Sequence, residues 1–143
     1  ERSRRAAGQS NSPIVNSYWR SVEMPIHGVG TDIVETQRIR DLHGREPRFA
    51  RRVFTSRELD YSFSKGAKYL HLAARFAAKE AVAKALGGSF SWKDVEVVNS
   101  SMGKPEVSLH GRAKAAAGNA RVHLSLSHTR HYACAVAIVE ESE

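Results

Sequence analysis

Asp32 and Glu80 are two acids in largely apolar segments, and Lys84 follows Glu80 at four-residue spacing. Two carboxylates from separate elements are what a protein usually gives a magnesium ion, whose remaining positions go to water and substrate phosphates. A lysine beside them would add a point charge for the same phosphates. Glu80 sits in the run from Leu70 to Leu86, which reads as a helix apolar on every side and therefore buried, so its carboxylate needs a cation or a hydrogen-bond network. Residues four apart lie only about 40° apart around a helix, so Glu80 and Lys84 form one ridge and Arg75 and Lys79 a second. The second ridge joins like charges, which implies an anion nearby or access to water. Spacing leaves open a plain ion pair, Glu80 with Lys84 or Asp32 with an arginine.

Other chemistry is thinner. In the strand Val122 to Ser127, His123, Ser125 and Ser127 face away from Val122, Leu124 and Leu126. There is no G-x-S-x-G elbow around these serines, and the seven histidines show no zinc-ligand spacing. Gly28-Val-Gly30 lacks the third glycine of a dinucleotide fingerprint, and Met102-Gly-Lys-Pro105 has the composition of a hairpin turn.

The elements that would position these residues follow in order. Ile26 to Val34 is β-rich, and its glycines admit close approach by a backbone or ligand; Asp32 shares their strand face. A helix begins within Glu35 to Leu42 and breaks over Gly44 to Pro47. Thr55-Ser-Arg-Glu58 has the form of a capping box and starts a second helix. Lys65-Gly66 separates that helix from the long one, which Gly87-Gly88 ends. Val95 to Val98 and Val107 to Leu109 read as a hairpin, Gly111 to Ala117 as a short helix, and Val122 to Ser127 with Tyr132 to Val139 as the last strands. One strand, several helices and then strands argue an α+β domain, an antiparallel sheet packed with a long buried helix. Residues 24–143 read as one domain, and 1–23, rich in Arg, Ser and Asn, as a flexible extension or an expression remnant.

Hydrophobic content of 41% and charged content of 26% fit a globular protein, and no apolar run reaches membrane-spanning length. The single cysteine, Cys134, excludes an internal disulfide, fits the cytoplasm and reads as an inert buried thiol. The net charge of +7 calls for an anionic partner, and it is concentrated: seven arginines between Arg38 and Arg57 are opposed only by Asp41 and Glu46. An acidic protein or nucleic acid would both suit this patch, so a non-enzymatic basic nucleic-acid-binding module is the competing reading.

Three blocks decide between them. G-V-G-T-D-I-V-E from Gly28, R-F-A-A-K-E-A-V-A-K-A-L-G from Arg75 and V-H-L-S-L-S-H-T from Val122 resemble, in order, the holo-acyl carrier protein synthases, the short bacterial type of 4'-phosphopantetheinyl transferase. R-F-A from Arg48 and G-K-P from Gly103 also match. The resemblance implies magnesium-dependent transfer of phosphopantetheine from coenzyme A to a serine of apo-acyl carrier protein, in fatty acid biosynthesis, releasing adenosine 3',5'-bisphosphate. It implies Asp32, Glu80 and Lys84 as catalytic residues, the two acids holding Mg²⁺, with Glu80 or a water it positions as base. Arg75, Lys84, Gly103, Lys104, Pro105, His123, Ser127 and His128 become coenzyme A contacts, and Arg38, Leu42, Arg45 and Arg48 the carrier-protein surface. It further implies a homotrimer with sites shared between subunits, and no nucleic acid or membrane partner. Larger members of the superfamily carry a third acid where this chain has Val34.

Overall fold

The structure, a computed structural model, describes residues 25–142. The expected extension at 1–23 lies outside them. Strand β1, Ile26–Glu35, leads into helices α1, Thr36–Arg45, α2, Phe49–Val53, α3, Ser56–Phe63, and the long α4, Lys68–Leu86. A 3-10 turn, Trp92–Asp94, precedes β2, Val95–Asn99, and β3, Pro105–Leu109; α5, Gly111–Ala117, and the strands β4, Arg121–His128, and β5, Tyr132–Glu140, complete the described chain. The expected α+β class holds, with one difference: the strands make two antiparallel sheets, β1-β5-β4 and the hairpin β2-β3.

Local sequence accounts for the boundaries. Helix α1 runs through Gly44 and ends before Pro47, whose ring disfavours helical backbone in the residue ahead of it. The capping box at α3 forms on both sides, Thr55 Oγ1 accepting from the Glu58 amide at 3.3 Å and Glu58 Oε1 from the Thr55 amide at 2.9 Å. Gly87 ends α4 in the left-handed conformation, at φ 77°.

Helix α4 is buried without a break from Leu72 to Lys79 and lies across one face of the three-stranded sheet. Its alanines allow a contact closer than ordinary side chains permit. A Cβ on Gly28 would fall 1.9 Å from the Ala85 carbonyl oxygen, and one on Gly30 would fall 1.8 Å from that of Ala81. The two glycines therefore receive a helix backbone. On the same side, Val34 and the alternating Ala133, Ala135, Ala137 and Val139 of β5 close the core, joined by Phe49 and Phe54 from the arginine-rich segment.

The other face of this sheet is open. Val29 is 61% exposed and Ile33 67%, with Tyr132 and Val136 beside them. Cys134 belongs to this face, and it is half-buried where the apolar run suggested full burial. Strict alternation explains the difference, since Cys134 pairs with outward-facing Ile33 while the neighbouring alanines point to α4. Among the described residues no helix is long and apolar enough to cross a membrane.

Candidate functional site

The glycine-alanine contact sets the first group of residues. Asp32 lies two positions beyond Gly30 on the helix-facing side of β1, and Lys84 lies one turn beyond Ala81–Glu80 on α4. Lys84 Nζ donates to Asp32 Oδ1 at 3.3 Å and to the Thr31 carbonyl at 3.0 Å. Lys84 therefore pairs with Asp32, and the Glu80–Lys84 alternative does not form. Glu80 is half-buried, and among the described residues no ion pair engages it. The expectation that Glu80 must be fully buried and paired is thus corrected: it stands at the rim of α4, where the run of buried positions ends.

A cavity of about 300 Å³ opens beside Glu80 and Lys84, walled by Gly88, Ser89, Phe90, Ser91 and Trp92. The donor set fits a hard divalent cation, since two carboxylates and an open cavity leave room for water and phosphate oxygens. Among the described residues no third acid, histidine or cysteine joins them, and buried Val34 offers no oxygen.

The buried ridge charge is Lys79. Its Nζ contacts Glu58 Oε1 at 2.8 Å, the Val95 carbonyl at 2.5 Å and the Trp92 carbonyl at 3.0 Å. Burial pulls its pKa below the usual lysine value, and the Glu58 carboxylate opposes that shift. The sequence reading gave Glu58 only a capping role and left Lys79 to solvent or an anion. The missed signal was a lysine in an alanine-rich helix with no acid three or four residues away, which required a carboxylate from another element.

Arg75 also turns inward, at 2% exposure. Its guanidinium lies 4.1 Å from the centre of the Tyr61 ring, and Nη2 donates to Asn99 Oδ1 at 2.7 Å. Asn99 Nδ2 in turn donates to the Gly103 carbonyl at 3.1 Å, so Arg75 is tied to the Gly103–Pro105 turn. Lys104 is exposed on that turn. Burial first, then the charges of Arg75, His128 and Lys65, hold the His71 pKa below its usual value. Arg75, Lys65 and His71 gather around the Tyr61 ring, and with the G-K-P turn they form a second group, of which His71, Lys65 and Asn99 were not picked out from sequence.

These two groups do not share one face. Arg75 and Lys84 are roughly 13 Å apart along α4 and on opposite sides of it. His123 and Ser127 lie elsewhere again, on the open face of the sheet, while Asp32 faces the helix. His123 Nε2 is 2.6 Å from Glu140 Oε2. Of the expected carrier-protein surface, Arg38, Arg45 and Arg48 are exposed and Leu42 is half-buried against the core.

Comparison with known proteins agrees with this architecture. The profile of the 4'-phosphopantetheinyl transferase superfamily matches residues 28–137. The holo-[acyl-carrier-protein] synthase of Caldanaerobacter subterraneus subsp. tengcongensis is 45% identical over 121 residues, covering 80% of this chain and 95% of that protein. The crystal structure of a Bacillus anthracis holo-(acyl-carrier-protein) synthase in complex with CoA (3',5'-ADP) superposes with a TM-score of 0.70 at 35% identity, over 82% of this chain and 98% of the other. That of the Neisseria meningitidis enzyme gives 0.72 at 36% identity, over 82% and 100%. The chain belongs to the 4'-phosphopantetheinyl transferase superfamily, among its holo-acyl carrier protein synthases.

Proposed function

We propose that Asp32, Glu80 and Lys84 are the catalytic half of a phosphopantetheine-transfer site that a neighbouring copy of the chain completes. The activity itself follows from family membership: the chain moves 4'-phosphopantetheine from coenzyme A to a serine of apo-acyl carrier protein. This sets aside the basic nucleic-acid-binding module. The observation that carries the residue assignment is Lys84, 3.3 Å from Asp32 and lining an open cavity together with Glu80, which has no ion-pair partner among the described residues.

In the reaction, the carrier serine oxygen bonds to the phosphorus that bears the pantetheine arm. The bond from that phosphorus to the bridging oxygen breaks, and adenosine 3',5'-bisphosphate leaves with the electron pair. Asp32 and Glu80 would hold Mg²⁺, which when bound neutralises charge on the pyrophosphate. Lys84 brings its ammonium to the same phosphates, and a short shift from Asp32 is enough. Glu80, or a water that it positions, takes the serine proton. Transfer of this kind depends on positioning and charge more than on a protein nucleophile.

His123 and Ser127 bind coenzyme A from the second copy, because within one chain they lie on the opposite sheet face from Asp32, and the G-K-P turn of the Arg75 group binds its far end. Exposed Val29, Ile33 and Val136 give that copy an apolar sheet face to pack on. Three copies around one axis form a closed ring. Arg38, Arg45 and Arg48 attract the acidic carrier protein, with Leu42 at the centre of the contact. The cytoplasm, with its coenzyme A and fatty-acid synthesis, is the setting.

Incubation with apo-carrier protein, coenzyme A and Mg²⁺ tests the function, and mass spectrometry is expected to show the carrier gaining one phosphopantetheine. An unmodified carrier, across several carriers tried with folded protein, contradicts it. Mixing Asp32→Asn with His123→Ala chains tests the shared site. Two inactive proteins should regain partial activity on subunit exchange, and no recovery from a mixed oligomer would argue for sites within single chains.

A further inference from the structure

Asn99 stands at the end of β2, opposite Pro105 in the hairpin register, with both ends of its amide engaged. Its oxygen accepts from Arg75 Nη2 at 2.7 Å, and its nitrogen donates to the Gly103 carbonyl at 3.1 Å. A guanidinium can only donate and a carbonyl only accept, so the link between them must do both. A primary amide of this length does so. An aspartate would keep the arginine and lose the carbonyl, and alanine would lose both.

The turn that Asn99 holds is built to present its backbone. The Ser100 amide donates to the Lys104 carbonyl at 2.8 Å, the Gly103 amide to the Ser100 carbonyl at 2.9 Å, and the Lys104 amide to Ser100 Oγ at 3.2 Å. Gly103 has φ 82°, a conformation that favours glycine. Below the turn, Arg75 is fixed by Tyr61 and Asn99, and among the described residues its buried Nε has no partner. An arginine closed in on the protein side and an exposed lysine above it are thereby joined through one side chain.

We propose that Asn99 is a positioning residue for coenzyme A: it locks the exposed Gly103–Lys104–Pro105 turn to buried Arg75, so that the guanidinium anchors the turn that meets the ligand. This rests on the transfer reading, which makes that turn a coenzyme A contact. Asn99 bonds to Arg75 and Gly103 and to none of Asp32, Glu80 and Lys84, so its loss affects binding and leaves the chemical step intact.

The test is a double-mutant cycle of Asn99→Ala and Arg75→Ala, read by calorimetric titration with coenzyme A and by steady-state transfer. Asn99→Ala is expected to weaken coenzyme A binding about tenfold, as for a lost hydrogen bond to a charged group, with kcat within about twofold of the parent and a melting temperature lowered by a few degrees, because buried Arg75 loses an acceptor. The cycle is expected to be non-additive, Asn99→Ala changing little once Arg75 is gone. Asn99→Asp should fall between Asn99→Ala and the parent. Parental affinity in Asn99→Ala, full additivity with Arg75→Ala, or a fall in kcat at unchanged affinity would overturn the role. A parent chain that neither binds coenzyme A nor modifies a carrier overturns the transfer reading itself, which distinguishes the two failures.

Discussion

Lys79 Nζ lies 2.8 Å from Glu58 Oε1, with side chains 1% and 0% exposed, and this pair ties α4 to the start of α3. Glu58 also accepts from the Thr55 and Val97 amides, and Lys79 also donates to the carbonyls of Trp92 and Val95. One ion pair thus fastens three segments around the residue next to Glu80. Removing one partner strands a buried charge, so Lys79→Met should destabilise the fold by about 3–5 kcal/mol. The double variant Glu58→Gln, Lys79→Met should recover much of that loss. Urea unfolding of both proteins checks it, and equal stability of the two would show that the stranded charge is not the cause.

Gly30 is the position where helix and strand leave no room. A methyl group there meets the Ala81 carbonyl oxygen at 1.8 Å, and rigid backbone cannot yield as a side chain would. Gly30→Ala should lower stability by about 1–3 kcal/mol, the usual cost of overpacking. It should reduce transfer out of proportion to that, because it pushes β1 and Asp32 away from Lys84 and Glu80. Activity retained in a folded Gly30→Ala protein would remove the close contact from the account.

Glu96 sets part of the acid limit of stability. Burial raises its pKa, but hydrogen bonds from Thr55 and His110 and the charge of Arg57 outweigh burial and bring it below the usual value. A carboxyl depressed in the folded state binds fewer protons than in the unfolded chain. Its stabilisation is therefore complete above the ordinary carboxylate range and is lost as pH falls through the folded value. Unfolding measured from about pH 6 down to about pH 3 should show Glu96→Gln with a shallower acid decline than the parent. Parallel curves would contradict this.

The arginine surface on α1 gives a prediction specific to one substrate. Arg38→Glu with Arg45→Glu should raise KM for carrier protein at least tenfold and leave KM for coenzyme A unchanged, since both side chains are exposed and neither lines the cavity. The parent KM for carrier protein should also rise with salt, as expected for charge-steered association. Equal changes in both constants would place these arginines elsewhere in the mechanism.

Much of this was legible in sequence, for identifiable reasons. Thr55 and Glu58 announced α3 because a capping box is a local device, and Gly87 announced the end of α4 in the same way. The helix carrying Glu80 and Lys84 and the helix-facing side of β1 carrying Asp32 were legible because helical spacing and strand alternation are short-range patterns. Which charges pair was not legible. Lys84 meets Asp32 and Lys79 meets Glu58 through contacts between elements far apart in the chain, so no periodicity reports them. The open face holding Cys134 was hidden because an all-apolar strand looks alike whether one face or both are covered.

The central claim is that Asp32 and Glu80 perform the transfer and do not merely support the fold. Its direct measurement is the mass of apo-carrier protein after incubation with coenzyme A, Mg²⁺ and either the parent, Asp32→Asn or Glu80→Gln, each first shown by circular dichroism and melting to be folded. The account predicts full modification by the parent and at least a hundredfold slower modification by each variant at parental stability. Modification at the parental rate by folded Glu80→Gln would contradict it.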